Sequence, residues 1–347
     1  MTKPEKYLIH RDEQMTVGLH QLNGVVELTL FVVNDEGQLI GTLTDGDVRR
    51  GLMAGKKLDD KVSDYMKTQF RYIQEGAFSV ADIVNVRNIG IQILPVLDGN
   101  MQISRLINFS FHKSFLPLDA VIMAGGRGVR LSPLTDTIPK PLLKVGDRPI
   151  IEHGVRWLSR HGIGNITISV NYLADQIVDH FGDGSEMGVS VSYIREQEQL
   201  GTIGSLSLIE HVHHDAVLLM NSDLLTNIDL EEFFNEFVTK GSDMSVACIP
   251  YNVNIPYAIL EIDHESVLSL KEKPTLTYYS NAGIYLLKKE HIGLIPKGQF
   301  YNATDLIENL ISKGKKVTYY PLLGYWLDIG KMDDFRKAQE DIKHIKF

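Results

Sequence analysis

The sequence predicts an α/β fold: a doubly wound, mostly parallel sheet over residues 117–347, preceded by a small α+β unit over residues 1–115. Three observations lead there. Short continuous apolar runs such as Ala120-Val121-Ile122-Met123 and Ala216-Val217-Leu218-Leu219-Met220 read as strands buried on both faces. Those runs alternate with stretches of helical period, the order expected of a parallel sheet with crossover helices. The first third of the chain carries a weak internal repeat instead. At 347 residues the chain exceeds one ordinary compact unit and has the length to bury a core in each of two.

In chain order, Leu30 to Asn34 reads as a strand, Asp35-Glu36-Gly37 as its turn and Gln38 to Leu43 as the returning strand. Thr44-Asp45-Gly46-Asp47 then caps a short helix. The pattern recurs as Ile93 to Leu97, the turn Asp98-Gly99-Asn100 and the strand Met101 to Ile107, with Val62-Ser63-Asp64-Tyr65-Met66 between the copies. Phe111 to Leu118 is the expected linker, ending at Pro117. Beyond it, Pro149 to His161 reads as a helix with Ile150, Ile151, Val155 and Leu158 on its apolar side. Strands are expected at Ile166 to Asn171, Val189 to Ile194, Ala216 to Met220, Met244 to Ile249 and Ala282 to Leu287. Helices are expected at Asp175 to Phe181, Leu230 to Phe237 and Asp333 to Ile342, and a hairpin at Ala258 to Ile262 and Val267 to Leu270.

Charge narrows the function. With 44 acidic against 35 basic side chains and a net charge of -9, the chain is not built to neutralise a nucleic-acid backbone. Basic residues that recognise phosphate would be local exceptions, and the stretch Asp119 to Leu143 holds such an exception. After Ala124 the strand breaks at Gly125-Gly126, with Gly128 close behind. Three glycines in four positions let backbone N–H groups turn towards phosphate oxygens. Arg127, Arg130 and Lys140 add positive charge, and Pro133, Pro139 and Pro141 keep the segment extended. A bland reading, a glycine turn with solvated basic residues, would suffice for a bare Gly-x-Gly. The single cysteine, Cys248, cannot form an intrachain disulfide and is expected to be a small core residue in a reducing compartment. No apolar run is long enough to span a bilayer, and the start MTKPEKYLIHRDEQ lacks a signal peptide's apolar stretch, so a cytoplasmic location without a membrane partner is expected.

Taken whole, Gly-Gly-x-Gly-x-Arg-Leu-x-Pro-Leu-Thr followed by Pro-Lys-Pro-Leu resembles the signature of the sugar-1-phosphate nucleotidyltransferases. One departure is Val129, where that family usually carries a small hydroxyl residue. The resemblance implies a Rossmann-like catalytic domain that joins a nucleoside triphosphate to a sugar 1-phosphate. It assigns Asp223, after the strand Ala216 to Met220, and Asp328, in Trp326-Leu327-Asp328, as ligands of one magnesium ion. Each alone could equally be a cap or turn aspartate.

The same resemblance assigns Ala124, Gly125, Gly126, Gly128, Glu196, Leu200, Gly201 and Thr202 to the nucleotide, with Glu196 bonding the base or orienting its loop. Gln199 and Ile203 depart from the usual pattern there. Glu272, Asn281 and Tyr257 are assigned to the sugar and Lys273 to its phosphate, while Arg130 and Lys140 would neutralise the departing pyrophosphate. Val170 to Glu196 is most similar to guanylyltransferases that make GDP-mannose and related sugars, with uridylyl and thymidylyl transfer as alternatives of the same fold. A non-catalytic nucleotide sensor is the alternative of another class.

Residues 1–115 resemble a pair of cystathionine-beta-synthase (CBS) motifs, the second starting near Val62. That family binds the ribose of an adenine nucleotide through a Thr-x-x-Asp, matched by Thr44 and Asp47. Leu106 and Phe109 stand at the corresponding places of the second copy. Helix capping explains Thr44 and Asp47 as well. The module is expected to regulate the transferase or to mediate self-association as a homo-oligomer.

Overall fold

The computed structural model describes residues 4–76 and 79–345 and divides the chain into two compact units, Met1–Phe115 and Leu116–Phe347. The first contains Leu8–His10 (β1), Met15–Asn23 (α1), Thr29–Val33 (β2), Leu39–Thr44 (β3), Asp45–Met53 (α2), Val62–Tyr65 (α3), Ile73–Gln74 (β4), Val80–Asn88 (α4), Ile93–Leu97 (β5) and Ile103–Asn108 (β6). Two three-stranded sheets result, β1-β2-β3 and β4-β5-β6, each with its first strand parallel and its third antiparallel to the middle one.

A bulge interrupts both hairpins at matching places, between Val32 and Val33 and between Val96 and Leu97. The repeat read from the sequence is therefore a repeat of topology. Counted from the bulges, Thr44 corresponds to Asn108, so the correspondence with Leu106 is two residues out of register. The two halves meet reciprocally: Gln38 Nε2 donates to the Asn100 carbonyl at 3.1 Å and Gln102 Nε2 to the Glu36 carbonyl at 2.6 Å.

The second unit contains Asp119–Ala124 (β7), Lys144–Val145 (β8), Arg148–Pro149 (β9), Ile150–Arg160 (α5), Asn165–Val170 (β10), Ala174–Phe181 (α6), Ser190–Arg195 (β11), Ala216–Asn221 (β12) and Leu224–Thr226 (β13). Leu230–Thr239 (α7), Met244–Asn254 (β14), Ile259–Asp263 (β15), Ser266–Lys271 (β16), Thr275–Lys288 (β17), Ala303–Ser312 (α8), Val317–Pro321 (β18), Trp326–Asp328 (β19) and Met332–Asp341 (α9) complete it. Its central sheet has the order β11-β10-β7-β12-β17-β14-β18, parallel throughout except that β17 runs antiparallel to both neighbours. The chain leaves β7 towards β10 and β11 on one side and returns to β12 on the other. The carboxyl ends of β7 and β12 thus flank a topological switch point, where open α/β sheets bind ligands.

Burial explains the strands: Val121, Val217 and Leu219 pack with Leu306 and Leu310 of α8, while α5 buries Ile150, Ile151, Val155 and Leu158. Three features differ from the sequence reading. β14 and β17 run past the sheet as a paired ribbon, to Asn254 opposite Thr275, and the β15–β16 hairpin follows from its end. The short strands β13 and β19 pair antiparallel with each other, and α8 and β18, which were not among the expected elements, complete the unit; α8 opens on an Asn302–Asp305 capping box and buries Leu306 and Leu310. Leu116 and Leu118 are buried in the second unit, with the Leu116 N–H bonded to the His161 carbonyl at 2.9 Å, so the linker ends before them.

Candidate functional site

At the switch point β7 ends in buried Ala124 and the glycine turn begins. Gly128 has φ 64°, and a Cβ there would lie 2.8 Å from the Lys140 Cβ and 3.2 Å from the Thr135 Cγ2. Only glycine admits both the conformation and the approach. Thr135 Oγ1 donates to the Gly128 carbonyl at 2.9 Å, folding the turn back onto the proline-rich segment that delivers Lys140. A Cβ on Gly125 would sit 3.0 Å from Glu196 Oε1, whereas one on Gly126 would meet nothing within 4 Å, so the turn is open to a ligand at Gly126. Val129 projects outward, 71% exposed.

The carboxylates arrive from two distant stretches. Leu224 of β13 pairs with Asp328 of β19, and the Ile329 N–H donates to the Asp223 carbonyl at 3.0 Å. That small ribbon sets Asp223 and Asp328 side by side. The Lys140 ammonium pairs with Asp223 Oδ2, and both side chains are largely buried. Arg130 stands against Gly330, where a Cβ would come within 3.2 Å of its guanidinium.

Oδ1 of Asp223 and Oδ1 of Asp328 are buried and have no hydrogen-bond partner. Burial, and then the charge of Asp223, push the Asp328 carboxyl up to about 6, with Lys140 and Arg130 opposing the rise. Two carboxylates with one idle buried oxygen each form a donor set that suits a hard divalent cation, and Asp223 and Asp328 are the residues that would hold it.

The segment Glu196 to Thr202 is tied down from several sides. Glu196 Oε1 accepts from the Ser169 hydroxyl at 2.6 Å and Oε2 from the Leu200 N–H at 3.0 Å. Glu196 thus orients its own loop. Gly201 has φ 77°, and a Cβ there would lie 2.7 Å from the Tyr301 carbonyl oxygen. Thr202 Oγ1 accepts from the Ala303 N–H at 2.8 Å, at the start of α8, and the Tyr301 N–H donates to the Leu200 carbonyl at 2.9 Å. The support from Tyr301 to Ala303 had no signal in the sequence.

Asn281 accepts the Gly283 N–H at 2.9 Å, and a Cβ on Gly283 would lie 2.5 Å from Asn221 Nδ2 at the end of β12, so Asn281 borders the carboxylate end of the site. Tyr257, Glu272 and Lys273 lie instead on the exposed ribbon at the root of the β15–β16 hairpin, with no hydrogen bond or ion pair joining them to Lys140, Asp223 or Asp328 among the described residues. Lys273 has φ 43°, a strained conformation for a lysine.

In the N-terminal unit Thr44 and Asp47 form a capping box on α2: the Thr44 hydroxyl donates to Asp47 Oδ2 at 2.6 Å and the Asp47 N–H returns to Thr44 Oγ1 at 3.3 Å. Asp47 Oδ1 also accepts from Arg50 at 2.6 Å. Asn108, at the position of Thr44 in the second half, is fully buried and bonds Glu27, which also accepts from the Tyr7 hydroxyl at 2.7 Å. Among the described residues no helix is long and apolar enough to cross a membrane.

Residues 119–345 match the family described as Nucleotidyl transferase. A UTP--glucose-1-phosphate uridylyltransferase of Synechocystis sp. is 30% identical over 254 residues, covering 66% of this chain and 66% of that protein. A mannose-1-phosphate guanyltransferase of Debaryomyces hansenii is 30% identical over 227 residues, covering 63% of this chain and 62% of that protein. The chain therefore spans a little under two thirds of the length of these relatives. The solved structure of HddC from Yersinia pseudotuberculosis complexed with GMP-PN superposes with a TM-score of 0.51 at 27% identity, covering 65% of this chain and 99% of that one.

Proposed function

Since the chain belongs to the Nucleotidyl transferase family, we propose that residues 116–347 transfer a nucleotidyl group from a nucleoside triphosphate to a sugar 1-phosphate. The observation that carries this reading is the Lys140–Asp223 pair beside Asp328, at the switch point and next to an open glycine turn. A sugar phosphate oxygen is already ionised near neutral pH, so no protein nucleophile is required. That oxygen bonds to the α-phosphorus while the bond from the α-phosphorus to the bridging oxygen breaks, and pyrophosphate leaves with the electron pair. The protein's share is in-line positioning and neutralisation of charge.

Lys140, Arg130 and the N–H groups of the glycine turn would hold the departing pyrophosphate. Magnesium, when bound by Asp223 and Asp328, would supply positive charge to the phosphate oxygens. Lys273, on its exposed ribbon, would meet the sugar phosphate, with Glu272, Asn281 and Tyr257 around the hydroxyls. Guanine is the base we favour, because the guanyltransferase relative and the GMP-PN complex both concern guanine nucleotides; the uridylyltransferase relative favours uridine as the second reading. We read residues 1–115 as a CBS pair that takes at most one adenine nucleotide, at Thr44 and Asp47, or that serves self-association. The doubled three-stranded topology supports the pairing, and the engagement of Asn108 with Glu27 supports a single site.

A pyrophosphate-release screen of the four common nucleoside triphosphates against a panel of sugar 1-phosphates, with magnesium, tests the proposal. Release with GTP and mannose 1-phosphate, lowered at least about 100-fold in Asp223→Asn, is expected. Release with no pair, or an unchanged rate in Asp223→Asn, would overturn it.

A further inference from the structure

The turn after β10 reaches into both halves of the nucleotide site. Asn171 Nδ2 donates to the Glu196 carbonyl at 2.8 Å, fixing the base segment. The Tyr172 hydroxyl lies 3.1 Å from the Thr135 carbonyl oxygen and 3.0 Å from that of Asp136, so its single proton is shared between them. Gln176 Nε2 donates to the Thr137 carbonyl at 2.9 Å. The Arg127 guanidinium stands 5.8 Å from the centre of the Tyr172 ring, within cation–π range.

Those contacts matter because residues 132–138 lie in turns, outside any helix or strand, and their carbonyls have no ladder to pair with. Leu173 closes the β10–α6 turn at φ 50°, a left-handed conformation that costs a leucine about 1 to 2 kcal/mol and persists where surrounding contacts over-determine it. Nothing in a helix-capping role would require Tyr172 and Gln176 to span to the proline-rich segment.

We infer that Tyr172 is a positioning residue for the nucleoside triphosphate. Its ring holds the glycine turn through Arg127, its hydroxyl holds the proline-rich segment through Thr135 and Asp136, and Asn171 of the same turn holds the base segment. The inference rests on reading the glycine turn as the triphosphate site. Loosening this clasp makes triphosphate binding meet the cost of ordering the loop, while the sugar phosphate, approaching from the ribbon of β14 and β17, does not.

Steady-state pyrophosphate release by the full chain, varying GTP and the sugar 1-phosphate separately, tests it with Tyr172→Phe, Gln176→Ala and the double variant. The apparent KM for GTP should rise about 3- to 10-fold in Tyr172→Phe, the loss of one hydrogen bond, and further in the double variant. The KM for the sugar phosphate should stay within about twofold, and the melting temperature within a few degrees. A GTP KM that does not move in an active variant, or both KM values rising together, would overturn the inference. Gln176→Ala alters an exposed side chain and decides the matter if Tyr172→Phe does not fold. A parent chain that turns over no pair of substrates would count against the transferase reading instead. Titration calorimetry with GTP and magnesium alone then carries the test, and equal affinity of parent and Tyr172→Phe would overturn the positioning role.

Discussion

Replacing Lys140 by methionine separates the charge of this residue from its packing. The stem is held under Gly128, where even a hypothetical Cβ would come within 2.8 Å, and methionine keeps that stem while deleting the ammonium. Asp223 and Asp328 would then face each other, each with an idle buried oxygen and with Arg130 as the remaining cation acting on Asp328. Breaking a buried ion pair by removing one partner costs roughly 3 to 5 kcal/mol. The Lys140 and Asp223 side chains are 11% and 21% exposed, so water returns part of this and we expect about 2 to 4 kcal/mol.

For a unit of this size that corresponds to a melting temperature lowered by roughly 5 to 15 °C. A divalent cation offsets much of this loss. In the parent chain the ammonium already neutralises Asp223, whereas in Lys140→Met both carboxylates are free to bind magnesium, which at about 100 times its Kd adds about 2.7 kcal/mol. Scanning calorimetry of the two chains with and without magnesium checks both parts: the variant melts lower, and magnesium recovers more for it than for the parent. Melting within about 2 °C of the parent, or a magnesium shift no larger than the parent's, would refute the account of Lys140 as the internal counter-ion of the carboxylate pair.

Lys273→Ala should raise the apparent KM for the sugar 1-phosphate about tenfold while leaving that for GTP within about twofold, because only one charge-assisted contact is lost; initial-rate kinetics decide it, and equal defects for both substrates would show the division of roles to be wrong. Gly128→Ala should lower turnover at least about 10-fold, since the new methyl meets the Lys140 stem in a backbone conformation alanine resists; a parent-like rate would mean that Lys140 need not sit where it does. Asp119 is a pH probe away from the site: burial alone would raise its carboxyl, but bonds from His214 and Asn165 outweigh it and hold the group well below the usual carboxylate range. A depressed folded value adds stability that is complete above the unfolded value of about 4 and is lost as pH falls from there through the folded one. The stability gap between the parent and Asp119→Asn, measured by urea unfolding, should therefore be widest near neutral pH and narrow in acid; a gap independent of pH would contradict this.

Burial on both faces writes itself as continuous apolar runs, so β7 and β12 were legible in the sequence to within a residue or so of their bounds; the hairpin β15–β16 was legible as well from its short apolar stretches, although Ile262, Val267 and Leu270 there are exposed. The glycine turn was legible for a similar reason, since glycines and prolines state backbone geometry directly. What the sequence by itself determined, then, is which short stretches are strands, helices and ligand-facing turns, together with the family signature they carry.

Only the tertiary structure decided what stands next to what. Asp328 meets Asp223 through β13 and β19, three-residue strands whose pairing is non-local and leaves no periodic trace in either stretch. Its raised carboxyl follows from that pairing and from burial, neither of which is a property of the residue. The same holds for Tyr172 and for the Thr202 to Ala303 contact, where side chain and main chain meet across long separations in sequence. In the N-terminal unit, the bulge that aligns Thr44 with Asn108 is visible only in hydrogen-bond register, because a bulge shifts pairing without changing the hydrophobic pattern that a reader of the sequence follows.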